Sequence, residues 1–325
     1  MRCPRMRGRC AIAVLSASLL AAPSLGAQVL RVADSLLAAG NLAGAESAFY
    51  AAARTRPRDP VARFALGHFL VERGATRVGA TLLEESLQFG GDPVFVGREL
   101  ARAYLATGEF APLAVLPAAS PAQRKRAKWL TTHEPRVIAP DSVISVKLAA
   151  AGDSTSLGVV QARVNGVAVG LSLSSQTQGI VLSRAAVRER RPRIFAAGVD
   201  STAGSDADLL AVADSLSIGG GRFTMLNQPV TLAALPPGTQ GLIGLDALGR
   251  FAPAADSRAG TLTLRADGSV REDVQGDRLP TLDQATGLSV LRQRVWIASP
   301  ADVARLLRNR GWTFDARRGT LIVER

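Results

Sequence analysis

The chain has 325 residues, 47% of them hydrophobic and 20% charged, with 39 basic residues against 27 acidic ones for a formal net charge of +12. Nucleic-acid binding needs a dense basic patch with aromatics beside it; the densest cluster, Arg124 to Lys128, has only Trp129 nearby, and arginine's dominance over the three lysines reads as the coding bias of a GC-rich genome. Two cysteines, two histidines and no D-x-D-x-D-G loop leave no ligand set for a metal and no call for a cofactor.

The first predicted element is a leader, residues 1–27. Met1 to Arg9 carries four arginines, Ala11 to Ala22 is apolar, and Ser24 to Ala27 supplies small residues for cleavage. That is the layout of a secretory signal peptide, and it implies an exported, periplasmic or extracellular protein. Its apolar run is shorter than the roughly 20 residues that span a bilayer, so no stable membrane span is expected. Both cysteines, Cys3 and Cys10, fall inside it, leaving a mature chain without thiol chemistry and with a net charge of +8.

Residues 28–130 are rich in Ala and Leu with helical periodicity, and Gly40, Gly74 and Gly108 recur at a spacing of 34. Ala45, Phe49, Ala52 and Pro57 follow the first glycine, and Leu66, Gly67, Leu70, Leu83 and Ser86 form a second unit; the third fades at Pro112. This resembles the tetratricopeptide repeat, with an alanine-rich helical bundle as the plainer alternative. The resemblance implies a concave groove for a protein or peptide partner. Projecting the helical period places Phe64, His68, Arg98 and Arg102 on its inner face, where two arginines could clamp a carboxylate; solvated helix-face arginines are the competing reading. Ser120 and Pro121 mark the start of one more helix, and residues 131–140, HEPRVIAP at their core, read as an extended linker.

Beyond Pro140 the pattern switches to period two, and residues 141–278 are predicted to be a mainly-β domain. Within it, Val164 to Ser183 reads VNGVAVGLSLSSQTQGIVLS: a turn at Gly166, an apolar strand, a small-residue loop ending near Gly179, and a second apolar strand. Further on, Gly241 to Leu248 reads GLIGLDAL, and Asp256 to Leu264 reads DSRAGTLTL. In this order the segments resemble the retropepsin-like aspartic peptidases. That resemblance implies an acid-protease lobe in which Gly244 passes behind the active-site loop and Asp246 caps the next helix. The departure from the family lies at its centre. Ser174, Ser175 and Gln176 stand where the family carries Asp-Thr-Gly. Such enzymes hydrolyse with two carboxylates sharing a proton, a role that a neutral hydroxyl does not fill.

No other residue obviously takes over. His68 and His133 lie outside the β domain, Lys147 is its one lysine, and a serine nucleophile would need a base. Asp200, Asp206 and Asp208 sit in a polar Gly/Ser segment that reads as a solvated loop. Residues 279–325 are predicted to be a C-terminal extension packed on the β domain: a strand at Val295 to Ala298, a helix opened by Ser299-Pro300 and ending at Gly311, and a hairpin at Asp315 to Val323 that echoes Asp256 to Leu264. The whole reads as a multidomain α + β chain. Its expected function is that of a catalytically inactive peptidase homologue serving protein binding or assembly. One alternative is an active aspartic endopeptidase with an acid from a partner chain or an unrecognised position; another is a structural envelope protein. A homodimer through the β domain is one expected assembly, and it would set Ser174 opposite Ser174.

Overall fold

A computed structural model describes residues 25–152, 154–190, 192–200 and 208–324. The leader reading, with Cys3 and Cys10, lies outside these residues apart from 25–27, as does Asp206.

Helices form first, where the caps ask for them. They are α1 (Leu25–Ala38), α2 (Leu42–Thr55), α3 (Pro60–Glu72), α4 (Thr76–Gln88), α5 (Pro93–Thr107), α6 (Phe110–Val115) and α7 (Pro121–Thr132). Asp59 and Asp92 cap α3 and α5 and are followed by first-turn prolines, and Ser120 with Gln123 closes a reciprocal capping box on α7. Gly40, Gly74 and Gly108 each end a helix with positive φ, the left-handed backbone that favours glycine. The pairs α1/α2 and α3/α4 bury Phe49, Leu66, Phe69 and Leu82, with the Phe49 and Phe69 rings 5.1 Å apart. A second cluster around Leu83, Leu100, Tyr104 and Leu130 reaches across to Val212 of the β region.

The β region begins earlier than predicted. Strand β1 (Arg136–Ile138) lies inside the segment read as a linker and pairs with β8 (Phe223–Ala233), so those residues are extended but hydrogen-bonded. Strands β2 (Val143–Ala149), β3 (Ser156–Val164), β4 (Val167–Ser174) and β5 (Ile180–Ser183) follow, then α8 (Arg184–Arg190), β6 (Ile194–Val199) and β7 (Leu209–Ile218). After β8 come β9 (Gly241–Gly244), α9 (Leu245–Gly249), β10 (Ala254–Asp256) and β11 (Thr261–Arg265). Asn165 and Gly166 both take positive φ and join β3 to β4 in a two-residue hairpin. Strand β9 inserts between β4 and β5, parallel to the first and antiparallel to the second. Because β3 also pairs with β7, the ring β3-β4-β9-β5-β8-β7 closes on itself. Val169, Leu171 and Leu173 alternate into its core with Ile243.

The C-terminal residues are part of this body. They form β12 (Asp277–Gln284), β13 (Gly287–Arg292), β14 (Val295–Ile297), α10 (Pro300–Leu307), β15 (Gly311–Asp315) and β16 (Thr320–Val323). The helix stops four residues short of the predicted Gly311, which instead opens β15. The β12–β13 hairpin was not read from the sequence, and it straddles the predicted boundary at 278. Strand β15 pairs with β10, and Val303, Leu307, Trp312, Phe314 and Leu321 join the same core as Leu171 and Leu173. The extension also packs on the helices: Arg73 donates to the carbonyls of Thr281 at 2.6 Å and Gly319 at 2.9 Å, and Trp296 donates to Leu37 O at 2.7 Å. Gly74 faces Ala316 O so closely that a Cβ there would clash. No helix of the described residues is long and apolar enough to cross a membrane.

Candidate functional site

Strand β4 delivers Ser174 to the end of the ring, directly beside Gly244 of β9. Gly244 has no room for a side chain, since a Cβ would meet Thr177 O and the Asp246 carboxylate. The loop after Ser174 therefore rests on β9. The Ser174 hydroxyl oxygen is turned into this loop and accepts from Gln176 N (3.2 Å), Thr177 N (3.1 Å) and Thr177 Oγ1 (3.0 Å). It serves as a local turn acceptor. Ser175 is 3% exposed, and its Oγ has no hydrogen-bond partner.

The β12–β13 turn covers the loop. Leu288 N donates to Ser175 O at 2.7 Å, Gln178 Nε2 to Gln284 O at 2.9 Å, and Gln176 Nε2 to Ala298 O at 3.4 Å. Gly287, at φ +115°, brings its backbone so near that a Cβ would lie 2.5 Å from Gln176 Cα.

Asp246 does more than start α9. Gly244 is the N-cap, without a side-chain cap bond, and the Asp246 carboxylate reaches back to accept Gly179 N at 2.8 Å. It ties the two ends of the site together, and Gly179, at φ +68°, supplies the turn that presents its N–H. Protein crowded around Asp246 desolvates its carboxyl, and the nearby Asp283 carboxylate repels its charge. Against the Gly179 N–H, these push it up to about 7. Its side chain keeps solvent contact on one side, which tempers the first cause. Burial likewise raises Asp283, with Arg102 pulling the other way.

Of the four residues projected onto the repeat groove, Phe64, His68 and Arg102 gather around Glu99, and Arg98 stands apart. Arg102 is partly buried, donating to Asp283 O at 2.7 Å and to Glu99 Oε2 at 2.8 Å. His68 lies 3.4 Å from Glu72 and 3.2 Å from Glu99, the second contact at an angle outside that of a good hydrogen bond. Phe64 stacks on His68 at 5.8 Å. Arg98 is turned to solvent over the Phe95 ring. The expected two-arginine clamp is not formed: the face carrying Arg102 is engaged by β12, whose carbonyl takes the guanidinium. Burial works against Glu99's charge, yet His68 and Arg102 outweigh it and hold the carboxyl at about 2. The contact with Glu99 outweighs burial at His68 and raises it, whereas burial raises Glu72.

Asp200, read as part of a solvated loop, is buried; it accepts from Gln123 Nε2 of α7 at 3.4 Å and lies near the buried Arg126 guanidinium. Among the described residues no group of three or more His, Cys, Asp or Glu could hold a metal ion. Sequence reasoning missed Asp283, whose only signal was an acidic residue two positions before the Ala285-Thr286 turn, too common a pattern to single out.

No protein-family model and no curated protein matches this chain. Among solved structures it is similar to one described as the crystal structure of a retropepsin-like aspartic protease from Rickettsia conorii, at 16% identity and a TM-score of 0.28, over 41% of this chain and 94% of that one.

Proposed function

We propose that this is an exported binding or assembly protein: a tetratricopeptide-like array fused to a retropepsin-like lobe that no longer hydrolyses peptides. The observation that carries this reading is the state of the loop. Ser174 replaces the expected acid and spends its oxygen on its own turn, and the Leu288 N–H to Ser175 O bond seals the loop under the β12–β13 hairpin. The hairpin backs Ser175, and a serine hydroxyl stays neutral at ordinary pH and does not exchange a proton as paired carboxylates do. Dimerisation through this loop is not part of the proposal. The mature chain is expected not to cleave denatured casein anywhere between about pH 3 and pH 7, the range over which carboxylate pairs work. Pepstatin-sensitive cleavage would overturn the reading.

A second reading has one observation in its favour. Asp246 is a solvent-exposed carboxyl at the edge of the same loop, bonded to Gly179 N and within the field of Asp283. If these two are the unrecognised acids of a working peptidase, the casein assay reports activity and Asp246→Asn abolishes it.

A further inference from the structure

The partner-binding reading leaves open where a partner would bind, because the array's face at Arg102 is taken by β12. Another groove on the array is open. It runs between α2, α3 and α4 with a volume of about 560 Å³, within the ~300–1,000 Å³ of ordinary ligand sites. Its floor is Ala53, Leu66 and Leu82, all buried, and its walls are Tyr50 and Val78, 41% and 56% exposed. Large apolar side chains left in water around a concave floor mark an interaction site more often than scattered ones do.

Charge selects the partner. Arg54 and Arg63 line the groove, and the Arg56 to Pro60 turn continues its rim through Arg56 and Arg58. Arg63 is pinned, its Nε donating to Pro57 O at 2.9 Å and its Nη1 lying 3.2 Å from Glu85. The rim's acids are already engaged: Glu85 by Arg63, and Asp59 by Arg56 at 3.7 Å and as the cap of α3. Arg54 and Arg58 have no ion pair among the described residues. An apolar floor beneath a cationic rim fits an apolar side chain flanked by carboxylates. Tyr50 is the groove's one aromatic, too few for the base stacking that single strands need.

We propose that this groove docks a peptide segment of another protein presenting one bulky apolar side chain beside Glu or Asp residues. The proposal rests on the partner-binding reading above and supplies its surface.

The test uses the full mature chain and fluorescein-labelled synthetic peptides of about ten residues, each with one Phe between glutamates, in anisotropy titrations. The same peptides with Gln, and with Lys, in place of Glu are the controls. The Glu peptides are expected to bind at least tenfold more tightly than the Gln peptides. Val78→Glu and Arg54→Glu, both at exposed positions that folding does not need, are each expected to weaken them at least tenfold. Arg54→Glu should bind the Lys peptides better than the unaltered protein does, and Arg98→Glu, on a different face, should change nothing. Equal affinity for Glu and Gln peptides, no binding at all, or Arg54-dependent binding to phosphatidylglycerol vesicles in place of peptides would overturn the proposal. Peptide binding that ignores the groove variants would sink the groove and spare the binding reading. Casein cleavage would sink the binding reading whatever the groove does.

Discussion

At the Ser174 loop the donors and acceptors point inward: Ser174 satisfies its own turn, Asp246 holds Gly179, and Leu288 closes over Ser175. At the groove under Tyr50 and Val78 the apolar walls and the Arg54 guanidinium are left to solvent. The first place has the outline of a site with most of its polar groups already paired; the second has open surface without any motif. A motif records what a loop once resembled, whereas binding requires surface that the rest of the chain has not already used. The C-terminal extension makes the difference, since it bonds to the helices through Arg73 and Arg102 and to the loop through its hairpin.

If that extension is what seals the loop, its tight turn is the place to break it. Gly287→Val puts a β-branched side chain at φ +115° and drives it into Gln176. A loss of at least about 2 kcal/mol is expected in urea unfolding, from backbone strain and clash together. A loss under half of that would mean the hairpin is not closely packed on the loop.

Arg73→Ala removes donors to three carbonyls, those of Thr281, Gly319 and Arg318. Hydrogen bonds to charged groups are worth about 1.5–3 kcal/mol net, so a cost in that range is expected in the same measurement. Hydrogen exchange should rise at both the loop and the β12–β13 turn, since the same extension covers both. Exchange rising at the array alone would separate the two regions.

Acidity sharpens the comparison. Asp246 is raised from 3.8 to about 7 in the folded protein, so the folded state binds more protons than the unfolded one between those values. The group's favourable contribution is complete below about 4 and is lost as pH rises through about 7. Asp283, Glu72 and His68, all raised, add in the same direction, while Glu99, held at about 2, contributes the opposite slope at lower pH, between about 4.5 and 2. The melting temperature is therefore expected to fall between pH 5 and pH 8, and Asp246→Asn, which can still accept from Gly179 N, should flatten that fall. An unchanged slope would show that Asp246 titrates like a free carboxyl.

The smallest effect belongs to Ser175. Its buried hydroxyl has no partner, so Ser175→Ala removes a desolvated group and is expected to leave stability within about 0.5 kcal/mol or raise it by up to about 1 kcal/mol. A clear destabilisation would show that Ser175 is bonded after all.

Much of the helical region was legible because its signals are local. Ser120-Pro121 fixes a helix start within a few residues, and a glycine at the end of a helix is recognisable without knowing what it faces. The β3–β4 hairpin was equally readable, since Asn165-Gly166 between alternating apolar runs dictates its own turn. The groove projection placed Arg98 and Arg102 correctly one helical turn apart, but it could not see β12 arriving some 180 residues later to take Arg102.

By itself, then, the sequence determined the helices and the β3–β4 hairpin, each of which depends on neighbours within about one turn or one strand. Only the tertiary structure decided that β9 slips between β4 and β5, that 136–138 is a strand and not a linker, that Asp246 reaches Gly179 across the loop, and which surfaces remain open. Those outcomes hang on pairings between distant segments. Such pairings are set by which backbone groups and apolar faces find partners once the whole chain is packed.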